Sequence, residues 1–171
     1  MAGNGLDPPL DAAFLASVPI FGGLTGSPLD TVASHLIRVL LPAGSPVVAE
    51  GEGAREMYVV ERGELEVRKD DEVVLARLKR GDCVGEMSLI DIQPRSATVR
   101  ALTETSLLVL RYRELMVIRR QDPEAFTLLV LNIAREVSRR LRVCQGLLLD
   151  AVHAGHVEGP AMHEVFGSTR G

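Results

Sequence analysis

The segment from residue 81 to 100 contains the side chains best suited to hold a ligand. Gly85 and Glu86 come directly before Met-Ser-Leu-Ile, which predicts one short helical turn whose first backbone N–H groups are free. Unpaired donors and the helix dipole at such a start both favour negative charge. Gly85 would also let a ligand approach the main chain closely. This pattern predicts an anion site.

Arg95 follows Glu86 by nine residues and brings a planar guanidinium that suits phosphate oxygens. Ser96 and Ala97 come next and offer a hydroxyl and a backbone amide. A carboxylate repels phosphate, but Glu86 could accept a hydrogen bond from a sugar hydroxyl. Together these groups describe a nucleotide that carries few charges. The alternative is a surface salt bridge between Glu86 and Arg95, worth under about 1 kcal/mol.

This segment must be positioned by a region rich in β-strands. Short runs of Val and Leu alternate with turn residues from about residue 38 to 110, which predicts an all-β sandwich or roll. The predicted strands are residues 39–41, 47–49, 57–60, 65–67, 73–78, 98–101 and 107–110. The chemistry-bearing segment therefore leaves the sheet after one strand and returns to it in the next.

Helical patterns flank the strands on both sides. A short amphipathic stretch ends at Pro19, and Ser27-Pro28 begins a second helix that extends to about residue 36. Asp122-Pro123 begins a long helix that extends to about residue 149. Along it, a seam of apolar residues, interrupted by Arg140, recurs at alternating spacings of four and three: Phe126, Val130, Ile133, Val137, Arg140, Cys144 and Leu147. This seam indicates packing on the strand layer, pairing with a second copy in a homodimer, or each along a different part of the helix.

Composition limits the function further. The chain has 171 residues, enough for one compact domain, and 19 Lys+Arg against 23 Asp+Glu, which argues against a dedicated nucleic-acid-binding domain. Its two cysteines predict reduced thiols rather than a disulfide framework. Neither a signal peptide nor an apolar stretch long enough to cross a membrane is apparent. We therefore expect a soluble cytoplasmic protein without a membrane partner.

The residues Gly85-Glu86-Met87-Ser88-Leu89-Ile90 and Pro94-Arg95-Ser96-Ala97-Thr98-Val99 resemble the phosphate-binding cassette of cyclic nucleotide-binding domains. These domains are the sensor modules of the catabolite activator protein family, of cAMP-dependent kinase regulatory subunits and of cyclic nucleotide-gated channels. The resemblance covers about residues 20–148, and the step of nine residues is similar to the kinase and channel branch. It implies a mainly β (α+β) fold, an eight-stranded jelly-roll-like β-roll with N-terminal helices and a C-terminal helix pair.

Domain boundaries follow from the patterns and the resemblance together. We expect a flexible N-terminus over residues 1–10, a binding domain over 11–149 and a flexible tail over 150–171. Within the domain, the β-roll would occupy about 38–110 and the C-terminal helices about 111–149.

The resemblance also implies a ligand site. Glu86 would accept the ribose 2′-OH, and Arg95 would pair with the cyclic phosphate next to Gly85. The phosphate cradle would be completed by the backbone amides around Met87, Ser88 and Ala97 and by the Ser96 hydroxyl. The purine would lie against the apolar residues Val67 and Leu75, and Val84 would also belong to the ligand-binding residues. Polar contacts to the base would come from the long helix, at Arg140, Cys144 and Gln145, with Cys144 standing where the family has a hydroxyl residue.

The function predicted from the sequence is a stand-alone sensor that binds cAMP, in preference to cGMP, and signals through its C-terminal helices to a second subunit or an effector protein. We expect no catalytic residue, metal or cofactor. Direct DNA binding is not expected, because too few residues follow Leu149 for a helix-turn-helix domain. The alternatives are a β-roll scaffold without ligand and a cupin-like metal-dependent enzyme. The enzyme would need clustered His ligands, whereas His153, His156 and His163 lie in the predicted tail.

Overall fold

The computed structural model describes residues 9–53, 55–70, 72–91 and 93–155. The predictions for residues 1–8 and 156–171 lie outside this part of the chain. The chain divides into two compact units, residues 1–134 and 135–171, which are considered separately.

Helices and strands follow each other in the predicted order. The helices are α1 (Ala12–Ser17), α2 (Ser27–Ser34), α3 (Met87–Ile90), α4 (Tyr112–Gln121) and α5 (Pro123–His153), with a 3₁₀ turn at Pro19–Phe21. The strands are β1 (Ile37–Leu41), β2 (Pro46–Val48), β3 (Glu56–Arg62), β4 (Leu65–Lys69), β5 (Val73–Leu78), β6 (Cys83–Val84), β7 (Thr98–Ala101) and β8 (Thr105–Arg111).

The strands form two antiparallel four-stranded sheets, in the orders β1-β8-β3-β6 and β2-β7-β4-β5. All seven strands predicted from the sequence are present, and β6 is the eighth. Its two residues are too short to give a periodic pattern, and pairing with β3 defines it. The predicted class, a mainly β roll with flanking helices, is confirmed.

The central strands β3 and β8 are buried on both faces, which explains their uninterrupted apolar runs. Successive strand residues point to opposite sides of a sheet. Met57 and Val59 accordingly pack in a cluster with the helices, whereas Tyr58 and Val60 pack in a second cluster with residues of the other sheet. Each of the two hydrophobic clusters therefore packs against one face of these strands.

The first part of α5 belongs to the helical cluster. Ala125, Leu129 and Ile133 are fully buried there, which confirms packing against the strand layer for this stretch. Asp122 caps the helix, since its Oδ1 accepts the Ala125 N–H at 2.9 Å. Asn132, also buried, donates to the carbonyl of Gly22 at 2.7 Å and fixes α5 to the turn before α2.

The remainder of α5 lies in the second unit and carries exposed apolar side chains, among them Leu141, Leu147 and Leu149. The helix continues to His153, four residues beyond its predicted end. The Gly155 N–H bonds to the Val152 carbonyl, and the positive φ of Gly155, +70°, ends the helix.

Two further observations concern the predicted state of the cysteines and the prediction that no segment crosses a membrane. Cys83 is buried and Cys144 exposed, and neither forms a disulfide. No helix among the described residues is long and apolar enough to span a bilayer.

Candidate functional site

The predicted site occupies the connection from β6 through α3 to β7. Antiparallel pairing sets Val84 opposite Tyr58 and thereby brings the loop to the beginning of β3. After α3 the chain returns past Arg95 to β7. The two ends of the loop are thus held on different sheets, β6 on one and β7 on the other.

Glu86 and Arg95 are both buried, with 2% and 7% of their surfaces exposed. This burial excludes the alternative of a solvent-exposed ion pair. Charged side chains are seldom buried to this extent unless a partner or a ligand compensates them. Burial of both on one loop therefore makes this loop the candidate functional site.

The guanidinium of Arg95 is held by neutral oxygen atoms. Its Nη2 donates to the Glu56 carbonyl at 2.8 Å, and its Nη1 donates to the Ser88 hydroxyl at 2.9 Å. The Gly85 carbonyl lies 3.5 Å from Nη1. Within the described part of the chain, the buried Nε has no acceptor. One N–H of this buried cation is therefore left without an acceptor among the described residues, which is unusual for a buried charged group.

Gly85 makes room for this arginine. Its φ of +82° is a conformation that favours glycine. A Cβ at this position would lie 2.3 Å from Nη1 of Arg95 and 2.9 Å from the Glu56 carbonyl oxygen. Glycine is thus required both by the backbone and by the space that Arg95 fills.

Glu56 connects the site to the start of α4. Its carboxylate accepts the Tyr58 hydroxyl and lies 3.4 Å from Nε of Arg111, the residue before α4. Burial, reinforced by the hydrogen bond to Glu56, raises the pKa of Tyr58 far above its usual value. Tyr58 therefore stays a neutral donor, and its ring centroid lies 5.9 Å from the Arg95 guanidinium carbon.

The connection between β2 and β3 forms another side of the site. The Gly51 N–H donates to the Arg95 carbonyl, and the Arg95 N–H donates to the Glu52 carbonyl, each at 2.9 Å. These paired bonds fix the backbone of Arg95 independently of its side chain.

The predicted phosphate donors differ in their surroundings. The Ser88 N–H donates to the Gly85 carbonyl at 3.2 Å, so this amide is already engaged within the turn. Ser96 is exposed, Ala97 is partly buried, and the Met87 side chain is 55% exposed. Ser88 also contributes to the site through its hydroxyl, which accepts a hydrogen bond from Arg95.

Two of the three predicted apolar contact residues pack against the same core cluster. Val67 and Val84 are partly buried against the second core cluster, whereas Leu75 is 57% exposed on β5. The pairing of β4 with β5 shifts register between Val67 and Arg68, which leaves Leu75 as an unpaired bulge residue. Bulges redirect side chains near binding sites.

The predicted base-contacting residues lie in the second unit. Arg140 donates to Glu136 at 2.9 Å, Cys144 is exposed, and Gln145 is partly buried. Their contact with a base stays a prediction.

Sequence reasoning missed three contributors: the Glu56 carbonyl, the Ser88 hydroxyl as a partner of Arg95, and Tyr58. A carbonyl has no residue-type signature, and Tyr58 lies in an apolar run that indicates only a strand. Among the described residues, no cluster of three or more His, Cys, Asp or Glu could hold a metal ion.

Comparisons with known proteins agree with this geometry. The family model described as "Cyclic nucleotide-binding domain" matches residues 38–122. The chain is 40% identical over 98 residues to a cAMP-dependent protein kinase regulatory subunit of Yarrowia lipolytica, covering 57% of this chain and 26% of that protein. It is 34% identical over 128 residues to the cyclic AMP receptor protein of Thermus thermophilus, covering 72% of this chain and 57% of that protein.

Among solved structures, the N-terminal domain of a transcriptional regulator from Streptomyces coelicolor A3(2) is 30% identical and superposes with a TM-score of 0.67, covering 74% of this chain and 94% of that one. The chain thus spans 26% and 57% of the two curated relatives but nearly all of this single domain.

Proposed function

Because this chain belongs to the cyclic nucleotide-binding domain family, we propose that it is a sensor that binds a cyclic nucleotide, cAMP in preference to cGMP, in the loop from Gly85 to Ala97. The observation that carries this proposal is the environment of Arg95. The described residues offer this buried guanidinium only neutral acceptors and leave its Nε without one. A buried cation in such surroundings favours an anionic ligand.

In the proposed complex, Arg95 pairs with the cyclic phosphate and Glu86 accepts the ribose 2′-OH. A cyclic phosphodiester carries one negative charge, which one guanidinium can balance. The amides of Met87, Ser88 and Ala97 and the Ser96 hydroxyl add neutral donors around it. For the Ser88 amide, this requires it to leave or share its 3.2 Å bond to Gly85.

The purine is proposed to lie on the apolar side chains Val67, Leu75 and Val84. The exposed position of Leu75 on the edge strand β5 supports this, since an apolar residue there has area to bury against a base. The preference for cAMP is supported by the relatives, two of which are named for cAMP.

Signal output is proposed to run through α4 and α5 to a second copy or an effector protein. Binding can shift the helices only if their two arrangements differ in ligand affinity, typically by about 1–3 kcal/mol. We infer a regulatory binding module rather than an enzyme, located in the cytoplasm.

Isothermal titration of the full chain with cAMP and cGMP tests the binding proposal. Arg95→Ala should weaken cAMP binding by about 3 kcal/mol or more, since it leaves a buried phosphate charge unpaired. Glu86→Ala should have a smaller effect, because it removes an acceptor for a neutral hydroxyl.

Arg62→Ala is the matched control, because the Arg62 side chain is 64% exposed and pairs with Glu104 on the surface. It should bind like the wild type. Equal affinities of Arg95→Ala and wild type would contradict the proposed pose. No heat from wild type at millimolar ligand would indicate a scaffold without ligand.

A further inference from the structure

We propose that the side chain of Ser88 is a positioning residue, which orients the Arg95 guanidinium before the ligand arrives. This inference rests on the proposed function. It differs from the backbone role expected for Ser88, because it concerns the hydroxyl and acts through another residue.

The Ser88 hydroxyl is oriented as an acceptor toward Arg95. Only 7% of the residue is exposed, and Oγ donates its single hydrogen to a carbonyl, with Gly85 at 2.7 Å and Glu56 at 3.2 Å. A hydroxyl has one donor and two lone pairs. Once the hydrogen is committed, the lone pairs are left for Nη1 of Arg95, at 2.9 Å.

Ser88 and the Glu56 carbonyl together set the plane of the guanidinium. One accepts from Nη1 and the other from Nη2, at 2.9 and 2.8 Å. A guanidinium that is hydrogen-bonded at both terminal nitrogens cannot rotate without breaking one of these bonds. A guanidinium that is hydrogen-bonded at only one of them can rotate about that contact. Nε, which has no acceptor among the described residues, then keeps a constant direction. A group that is already ordered loses less entropy on binding.

The chain offers a close control for the local effect of removing a hydroxyl. Oγ of Ser34 donates to the Thr31 carbonyl at 2.7 Å, three residues earlier, as Oγ of Ser88 does to Gly85. Ser34 differs in its place, because it lies on α2, outside the site, and its described hydrogen bond is to a carbonyl and not to an arginine.

The first measurement is nitrogen-15 NMR of the arginine side chains in the unliganded full chain, with the Arg95 signal assigned by its absence in Arg95→Lys. We expect slow rotation about the Nε–Cζ bond of Arg95 in the wild type and in Ser34→Ala. Ser88→Ala should show faster rotation. A merely structural role of Ser88 would not change this signal.

The second measurement is cAMP titration of the same proteins. Ser88→Ala should bind roughly 3- to 15-fold more weakly than wild type, the effect of one hydrogen bond, whereas Ser34→Ala should bind equally well. Unchanged Arg95 rotation in Ser88→Ala, or faster rotation with unchanged affinity, would overturn the inference. A wild type with slow Arg95 rotation but no cAMP binding would instead overturn the proposed function and leave Ser88 as a structural clamp.

Discussion

At the scale of single residues, the site depends on a close fit between Gly85 and Arg95. The space that a side chain would take at position 85 is filled by the guanidinium, and the backbone there has a positive φ. Substitution of this glycine should therefore affect both the fold and the ligand.

Gly85→Ala should lower cAMP affinity by about tenfold or more, because its Cβ displaces Nη1 of Arg95. It should also destabilise the protein by about 1–2 kcal/mol through its left-handed backbone conformation. Titration calorimetry and chemical denaturation measure the two effects.

Gly81→Ala separates strain from displacement. Gly81 has a similar φ of +90°, but nothing lies within 4 Å of the added Cβ. This variant should lose stability and keep its affinity. Equal affinity losses in both variants would show that backbone strain, rather than the position of Arg95, governs binding.

The sequence predicts the side chains of the site that have distinctive chemistry, but it does not predict the groups that hydrogen-bond to them. Glu86 and Arg95 are predicted from residue type and spacing, and the structure shows both buried on one loop. The Glu56 carbonyl could not be identified this way, since every residue has a carbonyl and only the folded chain determines which one meets Arg95.

At the scale of strands and helices, a polar network ties together three neighbouring strands. Arg38 of β1 forms two hydrogen bonds with Glu61 of β3, at 2.7 and 2.8 Å, and Ser106 of β8 donates to Glu61 at 2.6 Å. The side chains of Arg38 and Glu61 are only 10% and 16% exposed. The Arg38 hydrogen bond is the main cause that lowers the pKa of Glu61 from its usual 4.5, and Ser106 adds to it.

Glu61→Gln should destabilise the protein at pH 7 by about 1–3 kcal/mol, because it removes the negative charge that accepts two hydrogen bonds from Arg38. A lowered carboxyl pKa in the fold supplies stability above the unfolded value near 4.5, and this stability is lost as pH falls through the folded value. The loss of stability between pH 7 and pH 3 should therefore be smaller in Glu61→Gln than in the wild type.

Chemical denaturation at the two pH values measures this difference. Glu104→Gln serves as the control, since the Arg62–Glu104 pair is 64% and 76% exposed and should contribute under about 1 kcal/mol. The same pH dependence in Glu61→Gln and wild type would rule out the assigned role of Glu61.

The residue at which α5 begins was predicted correctly, whereas the residues on its buried side were predicted only in part. The start of α5 at Asp122-Pro123 was recognised from capping chemistry, which is local. Of its fully buried residues, Ile133 lies on the predicted seam, whereas Ala125 and Leu129 each come one residue before the seam positions Phe126 and Val130. The direction in which a helix faces depends on the surface beneath it, which periodicity alone does not reveal.

At the scale of the whole molecule, residues at the beginning of β3 contact both the loop from Gly85 to Ala97 and the start of α4. Arg55 accepts the Tyr112 N–H at 2.8 Å through its carbonyl, and its guanidinium lies 3.5 Å from the centroid of the Tyr112 ring. The next residue, Glu56, accepts a hydrogen bond from Arg95 through its carbonyl and forms an ion pair with Arg111 through its carboxylate. A change at Arg95 therefore has a short physical connection to the first turn of α4.

Saturating cAMP should change amide hydrogen exchange across residues 112–149, because the ligand engages Arg95 and shifts this connection. Arg95→Ala at the same ligand concentration is the control and should show little change. If exchange across α4 and α5 were identical with and without ligand in the wild type, the switching proposal would be wrong.

The homodimer proposal makes a separate prediction about α5. Leu147 lies on the predicted seam and is 65% exposed, so Leu147→Glu should shift sedimentation velocity toward the monomer. Leu40→Glu is the control, since Leu40 is similarly exposed, at 61%, but belongs to β1 and not to the predicted seam of α5. A wild type that sediments as a monomer at all concentrations would contradict the proposal.

Seven of the eight strands, the start of α5 and the residue types of the loop from Gly85 to Ala97 could be predicted from the sequence, because short apolar runs between turn residues, helix caps and a motif within one segment are local properties. Tertiary structure alone decided that β6 exists, that Leu75 is a bulge residue, and that a carbonyl and a serine hydroxyl hold the guanidinium of Arg95. These features depend on contacts between residues far apart along the chain, such as Glu56 and Arg95. Such contacts form only when the strands pair and their register is set.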